Sequence, residues 1–452
     1  MIQPMTLTMA AQTFGGTLMY PDCEFRAVST DSRHILEGDV FVALRGERFD
    51  AHNFLPDVAT RASGMVVEYA DRDINLPQWV VPDTTVALGQ LALLNRRRFH
   101  GPVVAITGSS GKTTVKEMVA AILGECGAVL ATKGNLNNQI GVPLTLLSLT
   151  AKHRFAVIEM GASGPSEISY LCSLARPDVV VVNNVLPAHV SGFGSLEGIA
   201  SAKGEIYSGV CSEGTAVINL DESWAPQWRA ATLARVVSYS LVSESADFRA
   251  KAMVSDPQGC FSFVLVTPVG EAAVQLAVSG RHNVANALAA AACAHAAGAD
   301  LGAVAAGLNK VRAVPGRLHR QVLASGGTLI DDSYNANPGS VKAAVDTLMT
   351  ISGKQILVLG DMGELGDNEA ALHGEVGRYA ADKGVCHLLA VGPLSINTVR
   401  EFGEGAEHLD SKEQLLERLK SLLDKDAVVL VKGSRFMAMD TVVKMITELG
   451  EH

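Results

Sequence analysis

Pro102-Val103-Val104-Ala105-Ile106 runs directly into Thr107-Gly108-Ser109-Ser110-Gly111-Lys112-Thr113-Thr114, an apolar strand feeding a glycine loop that ends in a lysine and hydroxyls. Beyond the loop, Val115, Met118, Val119, Ile122 and Leu123 recur at the spacing of one helix face. Strand, Gly-Lys-Thr turn and helix in immediate succession make a phosphate cradle, because the free N–H groups at a helix N-terminus point at an anion and the helix dipole favours negative charge. The strict pattern asks for a further glycine where this chain has Ile106, so the loop is a shortened variant. It implies a nucleoside triphosphate as ligand and a parallel α/β sheet as its support.

At 452 residues the chain exceeds one compact core, and about 150 residues per domain divides it into three. Hydrophobic residues make up 48% and aromatic residues 5%, with many Ala and Gly, which fits an α/β protein. The formal charge of −10 excludes nucleic-acid binding through bulk electrostatics, so an anionic substrate must be met by local cations. The 7 cysteines (Cys23, Cys126, Cys172, Cys211, Cys260, Cys293 and Cys386) are scattered and lack paired zinc spacing; they read as reduced core residues. No basic stretch precedes an apolar segment at the N-terminus, and the longest small apolar run, Val284 to Ala299, is broken by Asn286 and His295. The expectation is a soluble, cytoplasmic chain, monomeric and with no stable membrane insertion.

Short strand-like runs, Glu24 to Val28, Val40 to Leu44 and Met65 to Val67, mark a small N-terminal α/β domain over residues 1–83. A helical stretch from Val86 to Phe99 leads to the cradle, which opens a central domain over 84–313. Its strands Phe155 to Ile158 and Val179 to Val182 suit a buried parallel sheet, and Cys260 to Val266 with Ala272 to Val278 alternate as an appended antiparallel hairpin. After Val314-Pro315-Gly316-Arg317 the pattern restarts with Leu329-Ile330, Ile356 to Leu359, Leu388 to Val391 and Val428 to Val431. This predicts a third, Rossmann-like doubly wound domain over 314–452. Ligands of such sheets gather beyond the carboxyl ends of the strands, where this chain places polar residues.

A triphosphate site requires a divalent cation with hard oxygen ligands. Thr113 is the natural first ligand, and Glu159, closing a strand of the same sheet, stands where an acid would complete magnesium coordination. His189 lies in a loop after Asn183-Asn184 and can reach the γ-phosphate or a second metal; as a lone residue it is equally a hydrogen-bonded loop histidine. Lys203, within Ala200-Ser201-Ala202-Lys203-Gly204-Glu205-Ile206, reads on its own as a surface lysine. Asn283 and Asn286 follow Gly280-Arg281-His282 at a helix start. Asn283 is open to being an N-cap, and Asn286 either meets an adenine edge or is ordinary helix-start polarity.

Taken together these segments resemble the Mur ligase family over essentially the whole chain. The carriers are Thr30-Asp31-Ser32-Arg33, Phe41 to Asp50, the cradle, Gly134-Asn135-Leu136-Asn137-Asn138-Gln139-Ile140-Gly141-Val142-Pro143, Glu159, His189, Ala202-Lys203-Gly204-Glu205, Gly280 to Asn283, Asp332 to Pro338, Gly360 to Gly366 and Lys432-Gly433-Ser434-Arg435. Asp332 to Pro338 and Gly360 to Gly366 look like the dipeptide-adding member, and the Asp-Asn-Pro-Arg signature of the diaminopimelate-adding member is absent. The resemblance implies an ATP-dependent ligase of cytoplasmic peptidoglycan precursor synthesis, joining D-alanyl-D-alanine to UDP-N-acetylmuramoyl-tripeptide through an acyl phosphate. The third peptide residue would be diaminopimelate or lysine.

Carried over position by position, the resemblance implies that Lys112 and the loop residues Gly108, Ser109, Ser110, Gly111, Thr113 and Thr114 hold the phosphates. Mg2+ would sit on Thr113 and Glu159, and His189 would serve a second metal. Lys203 matches a lysine that is carbamylated in the family, which reverses its surface reading. Asn283, Asn286, Arg317 and Asp332 would contact ATP. Ser32, Arg33 and Arg45 would hold the UDP-sugar, with Asn135 and Asn138 in the peptide-binding segment. Asn335, Asn337, Lys432, Ser434 and Arg435 would border the dipeptide pocket. Arg45 departs from the pattern, since close relatives often carry lysine there, and the two cations differ in hydrogen-bond geometry.

Overall fold

The computed structural model describes residues 1–47, 49–187 and 190–449. Three α/β domains, each built on its own sheet, account for the described chain. The central sheet runs Gly270–Ser279, Cys260–Thr267, Phe248–Ser255, Arg235–Ser240, Thr215–Asn219, Val179–Val182, Val103–Thr107, Phe155–Glu159, Val129–Ala131. Neighbours are parallel from Val129–Ala131 to Phe248–Ser255, and the last two strands pair antiparallel as the alternation around Pro268 to Gly270 predicts. The parallel strands are rich in β-branched residues because both faces are covered. Val103 and Ala105 face one hydrophobic cluster, while Val104 and Ile106 face the other.

The helix after the cradle spans Lys112–Gly124, and its predicted apolar face is fully buried. Two helices pack beside it, Arg281–Ala296 and Leu301–Lys310. The first is lined with alanines; in the second, a Cβ on Gly307 would lie 2.4 Å from Ile122 Cα, so the backbones meet where no larger residue fits. Strand register sets the site: Glu159 pairs with Ile106, and Val182 with Thr107, so both neighbouring strands end level with the loop.

The N-terminal sheet orders Thr17–Met19, Gln78–Val80, Gly64–Val67, Asp39–Val42, Ala27–Ser29, parallel except for its first pair. The single run expected from Glu24 to Val28 is divided by a bend at Arg26; Glu24–Phe25 instead pairs with Met5–Thr6, and buried Phe25 joins the core shared with the central domain. The helix expected from Val86 spans Thr84–Arg97, where Asp83 caps it by accepting the N–H groups of Thr85 and Val86. The C-terminal sheet orders His319–Val322, Thr328–Asp332, Ala427–Lys432, Lys354–Gly360, His387–Val391, Ala406–Leu409, parallel after its first pair and covered on both faces. No helix among the described residues is long and apolar enough to cross a membrane.

Candidate active site

The loop Gly108 to Gly111 bridges strand and helix with two positive φ angles, +148° at Gly108 and +76° at Gly111. A Cβ on Gly111 would lie 2.6 Å from Asn183 Nδ2 and 2.8 Å from Asn286 Oδ1, so glycine is required twice over, by conformation and by space. The segment after Val179–Val182 grips the loop. Asn184 Oδ1 accepts from Ser110 N–H (2.8 Å), its Nδ2 donates to the Ser110 carbonyl (3.1 Å), and its carbonyl accepts from Ser109 N–H (2.9 Å). Asn183 Nδ2 donates to the same Ser110 carbonyl and to Asn286 Oδ1, whose Nδ2 in turn donates to Asn283 Oδ1.

Lys112 arcs over the loop, its Nζ donating to the Gly108 carbonyl at 2.7 Å. Burial lowers its pKa, opposed by Glu159 and reinforced by Arg317. Glu159 is 2% exposed. Its Oε2 accepts from Thr113 Oγ1 (2.9 Å), its Oε1 from Asn137 Nδ2 (2.8 Å), and its N–H donates to Thr132 Oγ1 (2.9 Å). The Thr113 hydroxyl and Glu159 carboxylate are hard oxygen donors converging at the end of the cradle, a set that fits magnesium sharing its remaining positions with phosphate oxygens and water. Beneath them, buried Lys116 Nζ donates to the Thr132 carbonyl at 2.7 Å and ties the cradle helix to the strand leading into Asn135 and Asn138.

Lys203 lies on the helix Leu196–Ser208, yet it is not the surface residue that its sequence surroundings suggest. It is 2% exposed and its Nζ stands 5.7 Å from the Phe193 ring centroid. Desolvation, with help from Lys112 and against the pull of Glu167, brings its pKa down to about 7. His189 lies outside the described residues. Asn283 is not an N-cap: the helix starts at Arg281 after Gly280, and Asn283 Nδ2 donates back to the Ser279 carbonyl.

The opposite wall comes from the C-terminal sheet. Arg317 lies 4.3 Å from the centroid of the Tyr334 ring and Arg435 5.7 Å from it, so two cations share one aromatic ring. Lys432 and Asp332, assigned from the resemblance to different ligands, form one ion pair at 2.5 Å in which Lys432 is buried and Asp332 partly so, with Lys432 also donating to the Asn335 carbonyl. Asn337 caps the helix Pro338–Met349 through a reciprocal box with Ser340. Ser434 is buried, accepting from Gly363 N–H and donating to the Ala336 carbonyl, so it braces two loops.

One cleft of about 900 Å³ is lined by Ser109 to Thr114, Asn135, Asn138, Glu159, Lys203, Asn283, Asn286, Arg317, Asp332, Asn335, Asn337, Lys432 and Arg435. Gly108 and Ser434 support it without lining it, and Ser32, Arg33 and Arg45 lie on the N-terminal domain away from it. There Arg33 pairs with Asp31, and Arg45 lies between Asp50 (3.8 Å) and Glu68 (3.4 Å). Asn137, Asn184, Lys116 and Tyr334 carry no role in the sequence reading. Asn137 and Tyr334 sit inside the motifs Gly134 to Pro143 and Asp332 to Pro338.

Fold and site together define a phosphate-loop α/β protein whose loop faces a second doubly wound sheet across a single cleft. Residues 106–294 match the Mur ligase middle domain and 316–435 the Mur ligase, glutamate ligase domain. The UDP-N-acetylmuramoyl-tripeptide--D-alanyl-D-alanine ligase of Escherichia coli (strain K12) is 46% identical over 449 residues, 99% of each chain. A structure from Acinetobacter baumannii, described as UDP-N-acetylmuramoylalanyl-D-glutamyl-2,6-diaminopimelate--D-alanyl-D-alanyl ligase, has a TM-score of 0.89 at 36% identity over 99% of both chains. The MurF ligase of Thermotoga maritima in complex with ADP has a TM-score of 0.84 at 28% identity, covering 94% of this chain and 98% of that one. The chain belongs to the Mur ligase family.

Proposed function

We propose that the protein is an ATP-dependent ligase that joins D-alanyl-D-alanine to a UDP-N-acetylmuramoyl-tripeptide ending in a diamino acid. The observation that carries this reading is the single cleft, where the phosphate loop, Glu159 and Lys203 face Arg317, Lys432 and Arg435 from the other sheet. A carboxylate is a poor acyl group, so its oxygen first attacks the γ-phosphorus of ATP, ADP leaves, and an acyl phosphate forms. The dipeptide amine then attacks the acyl carbon, loses a proton, and the tetrahedral species collapses to amide and phosphate. Lys112 and the loop N–H groups hold the negative charge that accumulates on the transferred phosphoryl group.

Thr113 and Glu159 would hold magnesium, with His189 at a second ion; bound there, the metal supplies charge neutralisation for the phosphates. Asn283, Asn286, Arg317 and Asp332 border the nucleotide, and Asn135 and Asn138 the peptide. Asn335, Asn337 and Arg435 border the dipeptide, with Lys432 and Ser434 setting the shape of that pocket. Ser32, Arg33 and Arg45 meet the UDP-sugar from the N-terminal domain, and the domain limits fall at 83 and 313. Lys203 is carbamylated: its amine, with a pKa of about 7, is substantially neutral at physiological pH and can attack CO2 with loss of a proton. The enzyme acts as a cytoplasmic monomer in peptidoglycan precursor synthesis.

Phosphate release measured with each substrate alone and in combination tests the reading. Release that requires both UDP-muramoyl-tripeptide and D-alanyl-D-alanine is expected, with a new peptide bond by mass. Equal turnover without the dipeptide, or a phosphorylated product and no amide, would point to a kinase or nucleotide switch instead.

A further inference from the structure

A smaller cavity of about 310 Å³ opens beside the main cleft and shares Gln139, Gly161 and Glu167 with it. Its walls are apolar or neutral, from Pro165, Tyr170 and Leu171, and the one carboxylate or cation among its described lining residues is Glu167. The main cleft is of mixed sign, with Lys112, Arg317, Lys432 and Arg435 on its lining beside Glu159, Asp221 and Asp332. An apolar compartment that ends on a carboxylate, beside a cleft that also holds cations, orients a ligand that carries both signs.

Glu167 opens the helix Glu167–Ala175, but that helix does not need it as a cap. Glu205 accepts the N–H groups of Ser166 (2.7 Å) and Ser169 (3.0 Å) from the neighbouring helix. Glu167 Oε2 accepts one bond, from Ser163 N–H at 2.9 Å, and a carboxylate can accept about four. Glu167 also lies close enough to Lys203 to favour that lysine's charged form, and Lys203 in turn feels Lys112, so the small cavity adjoins the phosphate-loop side of the cleft.

We propose that this cavity receives the side chain of the tripeptide's last residue, and that Glu167 accepts a charge-assisted hydrogen bond from its terminal ammonium. The inference rests on the ligase reading above. A diamino acid whose carboxylate reaches toward the phosphate loop must direct its methylene chain and second amine elsewhere. Apolar walls with an acid shared between the two compartments match that arm, and the volume lies at the small end of ligand pockets, which span about 300–1,000 Å³. Glu167 is thereby a specificity-determining residue for an amine-bearing third position.

The test compares kcat/KM for UDP-N-acetylmuramoyl-tripeptides ending in lysine and in norleucine, which differ in the ammonium alone, for the wild type and for Glu167→Gln. Glutamine retains an acceptor for Ser163 N–H, so the fold and the helix start are preserved. The wild type is expected to prefer the lysine substrate by roughly tenfold to a hundredfold, the range of a hydrogen bond to a charged group. In Glu167→Gln that preference should collapse toward unity through a raised KM for the lysine substrate. An unchanged lysine-to-norleucine ratio in the variant overturns the proposal, even if overall activity falls. Absence of amide formation by the wild type with either substrate would instead overturn the ligase reading.

Discussion

Glu159 works through atoms that other residues hold in place. Thr113 and Asn137 each bond one of its carboxylate oxygens, so removal of Asn137 leaves Oε1 without that partner and the carboxylate held through Oε2 alone. Second-layer partners of metal ligands are worth about 10–100-fold in affinity or activity. Asn137→Ala is therefore expected to raise the Mg2+ concentration needed for half-maximal phosphate release by about that factor, and an unchanged Mg2+ titration would count against it. Lys203 makes a pH prediction. Its amine is neutral above about 7 and protonated below, and only the neutral form takes up CO2. Ligase activity should rise with pH through about 7, intact-mass spectra should show one added CO2, and Lys203→Ala should lose several orders of magnitude along with that limb. A wild-type profile flat from pH 6 to 8 would reject it. Burial of Lys203 was not legible from Ala200 to Ile206, because a lysine flanked by small residues reads identically on a solvent face and on a packed one.

Elements set how far sequence could foresee the cradle. Strand Val103–Thr107, loop and helix Lys112–Gly124 are continuous in the chain, and their apolar spacing alone fixed the order. The clamp on the loop is non-local: Asn184 meets Ser110 across 74 residues, because the sheet places Val179–Val182 beside Val103–Thr107, and strand order is not written in either segment. For the same reason the roles of Lys432 and Asp332 were separated by resemblance, although 100 residues apart they pair directly. Asn184→Ala removes two hydrogen bonds from the Ser109-Ser110 turn while leaving its glycines intact. An unmet N–H there costs about 1–3 kcal/mol, so calorimetry should find nucleotide affinity weakened about tenfold. Gly111→Ala, which adds strain at φ +76° and a clash with Asn183 and Asn286, should be worse. If the two variants bind nucleotide like the wild type, the cradle does not depend on the clamp.

At the scale of the molecule, the cleft exists only because two sheets present their strand ends to each other, while the N-terminal domain presents Arg33 and Arg45 elsewhere. The segment 183–186 spans the division: Leu186 exchanges hydrogen bonds with the Ser109 hydroxyl and packs where a Cβ on Gly339 would lie 2.9 Å from its Cδ1. The phosphate loop is thus linked through Leu186 to the C-terminal wall. A ligand present at about 100 times its Kd stabilises the state it binds by about 2.7 kcal/mol, and amides whose opening requires breaking that state gain corresponding protection. Hydrogen exchange with a non-hydrolysable ATP analogue should therefore slow in two places at once, the loop from Gly108 to Thr114 and the Gly316 to Leu318 and Asp332 to Ser340 segments across the cleft. The UDP-sugar alone should protect residues near Ser32 and Arg45 and leave both of those untouched. Protection by nucleotide that stops at the central sheet would mean the second wall closes only when the peptide substrates arrive, and would separate ATP binding from cleft assembly.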